Sequence, residues 1–112
     1  MAYVRLKRRA EFGQVIKKGR TYGDRYLVLF VLRTATGQSI RVGFTTQRSL
    51  GTAVKRNRVR RRLRALYNLY GSSLGECGDL IFLGKKSMID APWDELRLSM
   101  SRVLKRAGCL KR

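Results

Sequence analysis

The chain has 112 residues, of which 44% are apolar, with no histidine, two cysteines and a net charge of +19. That size and apolar content suit one domain with a modest core and exclude wholesale disorder, while the missing histidines exclude His-based triads, His general acid–base catalysis and His metal sites. A charge of this size costs self-repulsion and points to a polyanionic partner, nucleic acid first and an anionic membrane second.

Met1 to Arg9 is basic and reads as extended at its start. In Ala10 to Gly19, Phe12, Val15 and Ile16 share one helical face, and Gly19 is a plausible stop. The continuous apolar run from Tyr26 to Leu32 reads as a strand covered on both faces. Thr34 to Gly37 is a turn signal. Ser39 to Thr46 then alternates, with Ile40, Val42 and Phe44 on one face and Arg41, Gly43 and Thr45 on the other. Two such runs with a short polar connection predict an antiparallel hairpin. Gly43 inside a strand suggests either a bulge or the close approach of another group.

Gln47 to Thr52 is a loop, with Thr52 as the N-cap of a helix that runs to about Tyr70. Val54 to Arg64 holds seven basic residues in eleven, yet Val59, Leu63, Leu66, Tyr67 and Tyr70 recur on one helical face. Such a helix is anchored to a core and turns its arginines outward. Gly71 to Gly78 reads as a loop, Asp79 to Leu83 as a short apolar strand, and Gly84 to Met88 as a basic turn. Pro92 then sits in the first turn of a closing amphipathic helix, with Asp94 and Glu95 at the positive end of its dipole and Gly108 as its stop.

The order helix, strand, strand, helix, strand, helix makes an α/β or α+β two-layer sandwich in a single domain, residues 1–112. The strand at Ile40–Thr46, the basic helix and the strand at Asp79–Leu83 form a β–α–β unit, for which a right-handed crossover is the default.

The seven acids are scattered, and none lies between Arg25 and Gly75, a span with eleven Lys and Arg. Only Asp94 and Glu95 are adjacent, and neighbours on a helix do not face each other. No phosphate-binding glycine loop occurs. Nothing supplies a self-sufficient catalytic site or a pocket for a small-molecule substrate. Cys77 and Cys109 form no CxxC and read as reduced thiols. There is no signal segment and no apolar run of transmembrane length, so a cytoplasmic protein with no membrane partner is expected. RNA fits best: arginines would contact phosphates, and Phe12, Tyr22, Tyr26, Phe30 and Phe44 are each either core or a stacking surface.

The stretch from Arg41 to Tyr67, RVGFTTQRSLGTAVKRNRVRRRLRALY, resembles the signature region of the bacterial ribonuclease P protein subunit family. Its centre is Arg56, Asn57 and Arg58, followed by Arg60 or Arg61 and Arg64. The N-terminal pattern at Arg5, Leu6, Lys7, Glu11, Phe12, Val15, Lys17 and Gly19 also fits, so the resemblance covers nearly the whole chain. It implies a protein cofactor of a ribozyme. In that family an RNA subunit with bound Mg²⁺ removes the 5′ leader of precursor tRNA by endonucleolytic cleavage. The implied fold is an α+β sandwich of the ribosomal protein S5 domain 2-like type, with a mixed sheet and a left-handed β–α–β crossover. Lys55, Arg56, Asn57, Arg58, Arg60, Arg61 and Arg64 would contact the RNA subunit. Phe12, Ile16, Phe30, Thr45 and Arg48 would line the cleft for the 5′ leader. No protein catalytic residue or protein metal site is implied. Two departures stand out: Arg48 is followed by Ser49 where a second basic residue is common, and Ile16 replaces a common aromatic. The rival from another class is a structural ribosomal protein that scaffolds rRNA.

Overall fold

A computed structural model of the protein describes residues 4–6, 8–33, 40–75 and 78–110. The extended start at Met1, Lys7, the turn at Thr34–Gly37 and the thiol of Cys77 lie outside the described residues.

Burial alternates strictly along the apolar run, which forms strand β3 (Leu27–Leu32). Leu27, Leu29 and Val31 enter the main core, and the residues between them face the other side of the sheet. Before it lie β1 (Val4–Arg5), α1 (Arg9–Lys18) and β2 (Arg20–Gly23); after it come β4 (Arg41–Thr46), α2 (Ala53–Tyr70), β5 (Asp79–Gly84) and α3 (Trp93–Arg106). The five strands are ordered β1-β4-β5-β3-β2. Strands β1, β4 and β5 are mutually parallel, and β3 is antiparallel to both β5 and β2.

The predicted β3–β4 hairpin does not form. β5 pairs with both strands and separates them, with Leu29 opposite Phe82 on one side and Phe44 opposite Phe82 on the other. The true hairpin joins β3 to β2, an edge strand whose RTYG sequence carries no apolar run. The β4–α2–β5 unit is a parallel pair, as the pattern implies.

Its hand follows from L-chirality. Odd residues of β4 hydrogen-bond toward β5, as the Arg41 N–H to Gly78 O and Gln47 N–H to Gly84 O bonds show. Their side chains face α1: Arg41 reaches Glu11, and Gly43 lies under Phe12. For an L-residue on a strand running upward, with its side chain toward the viewer, the N–H and C=O point right. Strand β5 is therefore right of β4 seen from α1, and left of it seen from α2 on the opposite face. The crossover is left-handed, against the common rule and in line with the family resemblance.

Helices α2 and α3 cover one face and complete the main core, in which Tyr67, Phe44 and Phe82 meet with ring centroids 5.8–6.0 Å apart. Helix α1 lies across the other face, where Leu6, Val15 and Ile81 form a smaller core. The stop of α1 is not a left-handed glycine, since Gly19 has φ −76°. A Cβ there would stand 2.5 Å from the Val15 carbonyl and 2.7 Å from that of Val31, so Gly19 is needed for the helix end to meet the sheet. At α3 the stop is the expected one, with Gly108 at φ 71°.

Candidate nucleic-acid interface

Thr52 caps α2, its hydroxyl accepting the Lys55 N–H at 3.3 Å. Val59, Leu63, Leu66 and Tyr67 bury the inner stripe. The helix sits hard on β5, because a Cβ on Gly84 would meet Val59 Cγ1 at 2.2 Å. This close seat leaves the rest of α2 as an outer surface with two different flanks.

On one flank Asn57, Arg60, Arg61 and Arg64 line a concavity of about 330 Å³. Their spacing of three, four and seven places them together on the helix. Arg60 Nη2 donates to Asn57 Oδ1 at 2.9 Å, which orients both groups. Arg64 Nε is buried and has no partner among the described residues. A buried donor without an acceptor is costly, while the four side chains around the concavity present donors that suit an anionic oxygen.

On the other flank the arginines face inward. Arg62 donates to the carbonyls of Met88 at 2.7 Å, Ile89 at 3.1 Å and Ala91 at 2.7 Å, and its guanidinium lies 5.8 Å from the Trp93 ring centroid. Burial, and then the charge of Arg58, pull its pKa below the usual arginine value. Arg62 thus ties α2 to the segment after β5. Arg58 spends its Nε–H on Ile89 O at 2.8 Å while remaining exposed. At the helix start Lys55 is exposed, and Arg56 donates to Gly51 O at 2.7 Å. No acid occupies this first turn. Cations at the positive end of a helix dipole repel it, and a docked anion offsets that repulsion.

The second surface lies on the opposite face of the sheet. Phe12 and Phe30 are half-buried and pack against the smaller core, and Phe12 lies over Gly43. Ile16, one turn further along α1, is exposed. Thr45 is half-buried on the same face of β4, two residues beyond Gly43. Arg48 is exposed in the 3₁₀ turn Arg48–Leu50 that leads from β4 to α2. The five cleft residues thus share the α1 side or its exit, and the Arg48 turn joins this face to the helix surface. Of the other aromatics, Tyr26 and Phe44 are core, whereas Tyr22 is half-buried at the sheet edge.

The acid-free span from Arg25 to Gly75 is not free of neutralisation in space. Arg41 is held by Asp79 through two bonds of 2.9 and 2.7 Å and by Glu11 at 2.6 Å. Asp79 foremost raises the Arg41 pKa further above its usual value, against the opposing effect of burial. Both acids lie outside the span in sequence, and no local pattern foretold the clamp. It pins α1 to the sheet. Glu11 also accepts the Arg8 N–H at 3.2 Å. Among the described residues no three His, Cys, Asp or Glu side chains come together to hold a metal ion. Glu11 and Asp79, the two acids that approach each other on this face, are both engaged by Arg41. No helix among those described is long and apolar enough to cross a membrane.

Residues 2–108 match the family model described as Ribonuclease P. The ribonuclease P protein component of Symbiobacterium thermophilum is 37% identical over 108 residues, covering 96% of this chain and 94% of the relative. That of Chloroflexus aggregans is 41% identical over 109 residues, covering 95% and 78%. The Staphylococcus aureus RNase P protein structure superposes with a TM-score of 0.83 at 27% identity, over 99% of this chain and 100% of the other. The Thermotoga maritima RNase P protein shares the fold, with a TM-score of 0.78 at 22% identity over 91% and 96%.

Proposed function

The chain belongs to the ribonuclease P protein family, and from that premise we propose that it works as the protein component of a ribozyme that matures the 5′ ends of tRNAs in the cytoplasm. The α2 concavity binds the catalytic RNA, and the α1-side cleft takes the single-stranded 5′ leader of precursor tRNA. The chemistry, a hydrolytic endonuclease step, belongs to the RNA and to Mg²⁺ bound by that RNA. The observation that carries the reading is the pairing of two surfaces of different character across one short turn: an arginine-lined concavity on α2, and a half-apolar face with two half-buried aromatic rings.

The division of labour follows from the side chains. Guanidinium groups on a fixed helix match phosphate geometry and carry no base preference. Phe12 and Phe30 offer ring surface to unstacked bases, which a single strand can present and a duplex cannot. Two RNAs repel each other, and a protein of charge +19 between them lowers the cation concentration needed for their encounter. If about six phosphates are contacted, the log–log salt slope is about −4, at roughly 0.7 per phosphate of a single strand.

The test is reconstitution. The protein added to the ribozyme RNA at low Mg²⁺ should stimulate cleavage of precursor tRNA; absence of stimulation, with RNA binding intact, would return the reading to an rRNA scaffold. The family match already disfavours that rival.

A further inference from the structure

We propose that the outer edge of the sheet, at β2, is a second RNA-binding site that seats one nucleotide of a single strand. Its base lies on Tyr22 and its flanking phosphates on Lys18, Arg20 and Arg33. These residues, with Val31 and Leu32, line a cavity of about 290 Å³. Neither of the two surfaces described above includes it. The sheet order places β2 at the edge opposite β1.

Three features build the site. The close approach of Gly19 to the Val15 and Val31 carbonyls brings the end of α1 onto the sheet, and Lys18 with it. Arg33 is fixed at the other wall, its Nη2 donating to Ala107 O at 2.9 Å at the C-terminal end of α3. Tyr22 packs its inner side against the main core, and its hydroxyl has no partner among the described residues. Lys18 and Arg20 are exposed and have no ion-pair partner among the described residues. Among the described residues no acid lines the cavity.

The chemistry selects RNA over other polyanions. A volume near 300 Å³ is at the small end of ligand sites and suits a single base rather than a larger group. A ring beside three cations offers both stacking and phosphate contacts, the pairing that single-strand binders use. A lipid surface would call for exposed apolar anchors, and none of the exposed large apolar side chains (Ile16, Val54, Leu69, Trp93 and Leu98) lines this cavity.

The experiment uses the full chain with α2 weakened by Arg60→Ala, Arg61→Ala and Arg64→Ala and the α1-side surface by Ile16→Ser and Arg48→Ala, all at exposed or half-exposed positions, so that its outcome is separable from the ribozyme reading. A fluorescent oligouridine carrying 4-thiouridine is titrated by anisotropy and then photocrosslinked. Adding Lys18→Ala and Arg20→Ala should weaken binding about tenfold and reduce the salt slope by about 1.4, two phosphates at roughly 0.7 each. Tyr22→Leu, which keeps an apolar side chain against α3, should weaken binding with an unchanged slope, and the crosslink should map to Tyr22. Unchanged affinity in both variants, or crosslinks confined to α2 and to Phe12 and Ile16 of α1, would overturn the proposal. So would equal competition by inorganic pyrophosphate per phosphate, or vesicles of anionic lipid bound more tightly than the oligonucleotide and lost with the same substitutions.

Discussion

The ring of Phe12 occupies the space that a side chain on Gly43 would need. A Cβ at position 43 would stand 2.4 Å from Phe12 Cζ and 2.9 Å from a neighbouring ring carbon. The glycine is thus the floor of the cleft, and it lets an aromatic ring on α1 lie close to the sheet.

Gly43→Ala should therefore lift Phe12 and cost about 1–3 kcal/mol, the usual range for overpacking. Urea denaturation of the single variant and of Gly43→Ala with Phe12→Leu measures this. The shorter leucine should recover part of the loss, giving a non-additive cycle. Additive costs would mean that the two side chains do not compete for one space.

Arg41→Ala should destabilise the fold more than loss of any other arginine on this face. It strands Asp79, which is 4% exposed, and frees α1 from the sheet. Fully buried pairs cost about 3–5 kcal/mol when broken. The Arg41 side chain is 38% exposed, so screening brings the expectation to about 2 kcal/mol. Arg41→Lys should not restore stability, because an ammonium cannot reproduce the two-bond grip on Asp79. Asp79→Asn in the Ala background should recover part of it. Chemical denaturation decides each case.

Two neighbouring arginines on α2 should separate cleanly. Arg62→Ala removes three carbonyl contacts and should cost about 1–3 kcal/mol of stability. Arg61→Ala should leave stability within about 0.5 kcal/mol, as for exposed sites, and weaken RNA binding by about 1–2 kcal/mol. Thermal melts and filter binding on the same preparations distinguish them. Equal melting temperatures for both variants would contradict the assignment of Arg62 as a tether.

Acid stability should depend on Asp24. Burial pushes its carboxyl pKa up, but the Ser99 hydroxyl, the N–H groups of Tyr26 and Leu27, and Arg102 outweigh that and hold it below its ordinary 3.8. A carboxyl with a depressed folded-state pKa contributes stability above its unfolded value, and loses it as pH falls through the folded value. Ser99→Ala should therefore lower stability most at neutral pH, with the difference from the unsubstituted protein shrinking as pH falls through the folded value, and should move the acid unfolding transition to higher pH. Melting curves from pH 7 downward should show the shift.

What the sequence made legible, and what it did not, divides by range. Helix α2, its Thr52 cap and its inner stripe are local patterns and appear as read. Adjacency in sequence suggests a β3–β4 hairpin, but adjacency in the sheet differs, because β5, some thirty residues on, fits between the two strands. Strand β2 was missed because an edge strand needs no apolar run. Arginine identity was visible, but its use was not. Arg62 differs from Arg61 only by the 100° turn that aims it at the Met88–Ala91 carbonyls. The close seat of Phe12 on Gly43 was one of two readings of a glycine inside a strand, and only the packing of α1 decides between them.

The place of β5 also fixes the order in which the molecule can be completed. Before Asp79–Gly84 leaves the ribosome, β1 has only β4 and β3 has only β2, two fragments with no strand in common. Strand β5 is the one that joins them within the sheet. Every backbone pairing at the sheet's centre waits on it, so a nascent chain truncated before residue 79 should present two unfinished edges bridged only by side chains of α1.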